Sequence, residues 1–205
     1  MKKFIANFSL ILGVVLTLNS FSRTVSAQTT TNAATAFLNA AQASGDSKLD
    51  SIAMQLTNKV AALEATTSTN SALQTSLTSI LHSLAGGSDS NALTSALNLA
   101  TTAKLTPSQL DLAKQVGSLT SAYVVQKNFS TLPGAQGDVA TIVNSLQTGS
   151  LTSAITPLKN VAQNASLTDT QKQLLASVTA KYVPGMSKVT GAVNSAKDAL
   201  KKFGF

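Results

Sequence analysis

Apolar side chains return every three or four residues along most of this chain, and that spacing constrains its fold more than any other feature. Five segments carry the pattern, over residues 49–63, 73–84, 112–123, 139–146 and 189–203. This spacing places the apolar groups on one side of a helix, where packing can bury them. No convincing run of alternating apolar and polar residues, as in a half-buried strand, is present. The sequence therefore predicts an all-α fold.

Glycine and proline divide these segments into short helices. Helices rich in Ser, Thr and Asn have low intrinsic propensity, so they must be stabilised by burial of their apolar stripes. We expect about seven to nine short helices, packed as a bundle or a stacked array of antiparallel helical hairpins. They would form a single domain over residues 28–205. Residues 28–32 are expected to be a loose N-terminal segment.

The first 27 residues have the organisation of an export signal. A basic start precedes an apolar stretch over residues 10–18, and Val25, Ser26 and Ala27 provide the small residues of a cleavage site. The apolar stretch is too short to cross a bilayer as a helix. We therefore predict that residues 1–27 are a signal peptide, that cleavage follows Ala27, and that the mature protein is periplasmic or extracellular, in a bacterium.

The composition of the predicted mature chain excludes several classes of function. Cysteine is absent, which rules out disulfides and thiolate metal sites. Ser, Thr, Asn and Gln supply 69 of its 178 residues, so uncharged polar groups must form most of the surface. No arginine remains, and 12 lysines face 8 acids, with the whole excess in the last 39 residues. This balance offers no continuous phosphate-binding track, so nucleic-acid binding is not expected.

Catalytic and metal-binding patterns are also missing. His82 is the only histidine and falls on the polar face of its helix, where an exposed surface role is expected. No second histidine or cysteine completes a zinc set, and no Gly-x-Ser-x-Gly or Ser-x-x-Lys pattern occurs. Residue order alone leaves open a Ser–His–Asp triad built on His82. We predict no catalytic, metal or cofactor site, and assign Asp46 and Asp50 to a helix N-terminus.

One short motif, Leu-Thr-x-x-Gln, occurs twice. In a capping box the Thr hydroxyl accepts from the N3 amide, and the Gln side chain accepts from the amide of the cap residue. In the first copy Pro107 stands at the first helical position, where its missing N–H costs nothing. The motif therefore predicts two helix starts, built from Leu105, Thr106 and Gln109 and from Leu167, Thr168 and Gln171.

The same two motifs, in an exported, helical and cysteine-free chain, resemble those of the Spy/CpxP group of periplasmic proteins. The resemblance covers only those six motif positions. It implies a cradle-shaped dimer that shields unfolded client proteins. That family is rich in charge and arginine, whereas the mature chain lacks arginine.

The motifs also belong to a weak internal repeat. Leu-Thr-Ser-Ala occurs at 93–96 and 151–154, a Leu-Thr-x-x-Gln follows each, and a Tyr-Val pair closes each copy. The offset is about sixty residues, which is compatible with a duplicated helical hairpin at about 91–126 and 150–184. Chance recurrence of short words in a chain rich in Ala, Ser, Thr and Leu is the alternative.

The C-terminal segment is basic and amphipathic. Val189, Val193 and Leu200 fall on one side of a helix, with lysines elsewhere around it. Such a helix can close a bundle, which we favour, or lie on an anionic membrane or a partner. The groups for that second role are Lys188, Lys197, Lys201, Lys202, Phe203 and Phe205.

Taken together, these patterns favour an exported, non-catalytic helical protein with a structural or protein-interaction role. The partner and the oligomeric state are left open by the sequence. The alternatives are a Spy/CpxP-like chaperone and a protein that associates with a membrane surface through its basic C-terminal helix.

Overall fold

The computed structural model describes residues 25–67, 70–102 and 105–182, and its regular structure there is entirely helical. The prediction of an all-α fold is therefore confirmed for this part of the chain. Its helices are α1 (Val25–Ala43), α2 (Ser47–Thr66), α3 (Ser71–Ala85), α4 (Asp89–Thr102), α5 (Pro107–Phe129), α6 (Gln136–Thr148), the short 3₁₀ helix η1 (Leu151–Ala154), α7 (Ile155–Ala162) and α8 (Asp169–Tyr182).

The predicted apolar stripes are the buried faces of these helices. In α2 the stripe residues Leu49, Ile52, Leu56, Val60 and Leu63 are all buried. In α3 the corresponding set is buried in the same way. Each large apolar side chain buried in this way contributes about 1.5–3 kcal/mol, which offsets the low helix propensity of the Ser- and Thr-rich faces. The buried residues of all the helices join in a single hydrophobic cluster.

The expectation that residues 28–32 form a loose segment is wrong. They lie within α1, and Thr30 is buried, with its Oγ1 2.8 Å from Thr78 Oγ1 of α3. The sequence signal for this helix is weak, because its buried apolar side chains are Ala33, Phe37 and Ala41, and the two alanine side chains are only methyl groups. Packing against α3 therefore orders a segment that hydropathy alone leaves undecided.

Helix α5 occupies the centre of the fold and packs against α2, α4, α6 and α8. Because neighbours surround it, small polar residues are buried on it as well as apolar ones. The buried hydroxyls of Thr120 and Ser121 donate to the carbonyl oxygens of Val116 and Gly117, at 2.8 and 2.9 Å. These bonds within the helix satisfy groups that would otherwise be costly to remove from water.

Hydrogen bonds at the helix ends fix how α5 runs relative to its neighbours. Near its C-terminal end α5 bonds to Asp46, before α2, and to Asp89, at the start of α4. At its N-terminal end Gln109 bonds to Thr66, the last residue of α2. Helices α2 and α4 therefore begin where α5 ends, so both run antiparallel to it. Short connections between consecutive helices favour this arrangement.

Candidate functional site

The first Leu-Thr-x-x-Gln motif forms a capping box at the start of α5. Thr106 is the N-cap residue, and its Oγ1 accepts from the amide of Gln109 at 3.3 Å. In return, Gln109 Oε1 accepts from the amide of Thr106 at 2.9 Å. Two main-chain donors that a helix start leaves without partners are satisfied in this way. Pro107 occupies the first turn, and the half-buried Leu105 packs against the core.

The second motif repeats this geometry at the start of α8. Thr168 Oγ1 accepts from the amide of Gln171 at 3.2 Å, and Gln171 Oε1 accepts from the amide of Thr168 at 3.0 Å. Leu167, before the cap, is buried. Within the same turn Lys172 Nζ lies 3.3 Å from Asp169 Oδ1, an exposed pair that contributes little on its own.

Each glutamine also makes a tertiary bond that the sequence did not predict. Gln109 Nε2 donates to the carbonyl oxygen of Thr66 at 2.8 Å, and Gln171 Nε2 donates to that of Asn128 at 2.7 Å. In both cases the acceptor lies 43 residues earlier, in the last turns of α2 and of α5. Each motif therefore caps its own helix and ties it to the end of another, and its Thr and Gln side chains serve the fold.

The other elements of the internal repeat do not match so closely. The Leu-Thr-Ser-Ala at 93–96 lies inside α4, whereas the copy at 151–154 forms the 3₁₀ helix η1. Leu93 is buried, while Leu151 is only half-buried. The duplication stays a prediction: each copy has a capping box and a glutamine bond to a carbonyl oxygen 43 residues earlier, but the acceptors Thr66 and Asn128 lie outside the predicted units.

A polar cluster at the end of α5 links three helices, and we call it the α5-end cluster (Asp46, Asp89, Gln126, Lys127 and Asn128). Gln126 Nε2 donates to Asp46 Oδ2 at 2.8 Å. Lys127 Nζ lies 3.0 Å from Asp89 Oδ1, and Asn128 Nδ2 donates to Asp89 Oδ2 at 2.8 Å. No local sequence pattern predicts this cluster, because its partners lie 38 to 80 residues apart.

At this end of the fold, burial, hydrogen bonds and nearby charges shift the pKa values of two groups, Asp46 and Tyr123. Partial burial by itself raises the pKa of Asp46. Hydrogen bonds from Gln126 and from the amides of Lys48 and Leu49, with the Lys48 charge, outweigh burial and lower the pKa of Asp46 overall. At Tyr123, burial and the nearby carboxylates Asp89, Asp50 and Asp46 raise the pKa to about 12.

His82 is exposed, and it lines a groove of about 600 Å³ between α1 and α3 (the α1–α3 groove). The other lining residues are hydroxyl, amide or alanine side chains, namely Thr29, Asn32, Ala33, Ala36, Gln74, Thr75, Thr78 and Ser79. The sequence predicted the exposure of His82 but not the groove, because four of the nine lining residues come from α1. Among the nine lining residues that the structure describes there is no carboxylate, so none of them supplies the acid of a Ser–His–Asp triad.

Within residues 25–67, 70–102 and 105–182, no group of three or more His, Cys, Asp or Glu residues could hold a metal ion. Within the same ranges, no helix is long and apolar enough to cross a membrane. Residues 1–24 of the predicted signal peptide, which spans residues 1–27, lie outside the described residues, and so do Lys188, Lys197, Lys201, Lys202, Phe203 and Phe205.

Comparison of the chain with protein-family models, with curated proteins and with solved structures finds no match.

Proposed function

We propose that the protein is an exported, non-catalytic helical bundle that recognises a partner protein through the α1–α3 groove. The observation that carries this proposal is the lining of that groove. It offers hydroxyl and amide groups over small alanine side chains, and it places His82 among hydroxyls without a carboxylate. Such a surface can donate and accept hydrogen bonds, but it has no acid to orient an imidazole as a general base.

The chemistry of the groove specifies the kind of contact. Lys, Arg, Asp and Glu are all absent from the nine lining residues, so binding there depends on uncharged hydrogen bonds and on shape. The groove also has fixed walls, because Thr30 and Thr78 join α1 to α3 beside it. We therefore expect a polypeptide partner whose binding changes little with salt concentration.

Two exposed threonines allow a matched test of this surface. Thr75 lies in the groove and Thr94 lies on α4 outside it, and each donates to the carbonyl oxygen four residues earlier. A photoreactive benzoylphenylalanine is placed at either position in cells that export the protein. We expect one protein, identified by mass spectrometry, to be cross-linked from position 75 and not from position 94. Equal labelling from both positions would contradict the proposal.

Two further measurements address export and the absence of catalysis. Mass spectrometry of the exported protein should find Gln28 as its first residue. An intact N-terminus would contradict the export proposal while leaving the groove proposal open to the cross-linking test. If the protein turns over any substrate, and His82→Ala abolishes that turnover, the protein is an enzyme.

A further inference from the structure

A second groove, of about 730 Å³, runs between α2 and α5 and reaches the C-terminal end of α6 (the α2–α5 groove). Leu119 and Leu146, which are buried, and the half-buried Leu151 form its apolar part. Amide side chains of Gln55, Asn58 and Gln115 stand along its walls. Unlike the α1–α3 groove, it contains charged residues.

Two lysines face this groove from opposite walls, Lys59 on α2 and Lys114 on α5. Neither has a carboxylate within 4.0 Å among the residues that the structure describes. Asp111 is also in the groove, where its Oδ2 accepts from the neutral amide Nε2 of Gln115 at 2.6 Å, so among the described lining residues the two lysines exceed the acids by one charge. Lys59 is half-buried, so part of its hydration is lost without an acid in return.

The end of α6 adds acceptors to the same groove. Gln147, Thr148 and Gly149 line it, and the last carbonyl groups of a helix have no partners within the helix. Thr148 Oγ1 donates to the carbonyl oxygens of Asn144 at 2.9 Å and of Ser145 at 3.4 Å, and only the second belongs to the last four residues of α6. A ligand that binds the C-terminal end of α6 therefore carries N–H donors, and one that binds the two lysines carries a negative charge. A peptide with an acidic side chain has both N–H donors and a negative charge.

We propose that the α2–α5 groove binds an acidic peptide segment of a partner protein. A carboxylate of the peptide pairs with Lys59 and Lys114, and the main-chain N–H groups of the peptide donate to carbonyl oxygens at the end of α6. The apolar side chains of the peptide contact the leucines that form the apolar part of the groove. This site is separate from the α1–α3 groove and does not depend on export. Its binding falls as salt rises, because the two lysines are open to solvent on one side.

The test measures fluorescence anisotropy of two labelled peptides, one alternating Glu and Leu and the other alternating Gln and Leu. We expect the purified protein to bind the Glu peptide saturably, and more weakly at high salt. Lys59→Gln and Lys114→Gln should each weaken binding by about twofold to fivefold, as for partly exposed ion pairs. Lys59→Arg should retain it.

Lys159→Gln is the matched control, since Lys159 is exposed on α7 and lies outside the groove. It should leave binding unchanged, and circular dichroism should show that every variant is folded. The proposal is overturned if the Gln peptide binds equally well, if neither peptide binds, or if Lys159→Gln weakens binding as much as Lys59→Gln. Displacement of the peptide by phosphate at constant ionic strength would indicate a site for free anions instead.

Discussion

Gln109 donates through Nε2 to the main-chain oxygen of Thr66 at 2.8 Å, while its Oε1 accepts from the amide of Thr106. One side chain thus holds the start of α5 and the end of α2 together. The equivalent bond of Gln171 to Asn128 joins the start of α8 to the end of α5. These contacts separate two roles of the motif, local capping and tertiary attachment, and the roles can be tested apart.

Gln109→Glu should destabilise the protein by about 0.5–1 kcal/mol, measured by urea unfolding. Glutamate keeps an oxygen that accepts from the amide of Thr106, so the capping box is retained. Its second oxygen, however, faces the oxygen of Thr66, and the donor is lost. A negative charge near a helix N-terminus is favourable, so the loss measured is a net value.

Gln173→Glu serves as the control for that change, because Gln173 is exposed in the early part of α8. Its free energy of unfolding should be within a few tenths of a kcal/mol of the parent value, as for most surface substitutions. Gln171→Glu should behave like Gln109→Glu, since it opposes the oxygen of Asn128. If Gln109→Glu is neutral at high salt, where the favourable effect of its charge near the helix N-terminus is screened, the bond to Thr66 does not contribute to stability.

Thr106→Ala should lower the free energy of unfolding by about 1 kcal/mol through loss of the N-cap of α5. Thr141→Ala is the comparison, because Thr141 is exposed inside α6 and its hydroxyl only bonds back to Gly137. There alanine should be neutral or slightly stabilising, as the better helix former. Equal effects of the two variants in thermal unfolding would argue against a capping role for Thr106.

Phe37→Ala should destabilise the protein by about 3–5 kcal/mol, because Phe37 is fully buried. The centroid of its ring lies 4.8 Å from the ring centroid of Tyr123, in an edge-to-face contact. Leu38→Ala, at the neighbouring half-buried position, should have a clearly smaller effect. Were α1 only loosely attached, both variants would unfold at the same urea concentration as the parent.

The raised pKa of Tyr123 predicts a loss of stability in alkali. The phenol ionises near 10.0 in the unfolded chain and at about 12 in the folded one, so the folded state binds more protons between these values. The free energy of unfolding must therefore fall as pH rises through that range. Tyr123→Phe should remove this contribution, measured as a flatter pH dependence of urea unfolding. In Tyr182→Phe, which leaves one tyrosine, absorbance titration of an intact fold near pH 10.0 would contradict the shift.

The helices with large apolar residues could be read directly from the chain. In α2 the apolar residues from Leu49 to Leu63 follow one another at intervals of three or four, and any helix with that stripe must bury it. The helix starts at Thr106 and Thr168 could also be read, because capping is a contact between residues three apart. The start of α1 could not, since small alanines carry little hydrophobic signal and the buried Thr30 bonds to Thr78 of α3, 48 residues away.

Neither groove could be assigned from the sequence. His82 was recognisable as a polar-face residue, but its groove exists only because α1 lies against α3. Lys59 and Lys114 look like ordinary surface lysines until α2 and α5 place them on facing walls.

The order of residues alone determined that the described part of the chain is helical and where α2, α5 and α8 begin, because stripes and caps are interactions across three or four positions. The tertiary structure alone decided that Gln109 reaches Thr66, that Asp89 meets Lys127 and Asn128, and that two grooves form. Those contacts join positions 38 or more residues apart. No local preference specifies them, and they follow only when the apolar stripes pack together.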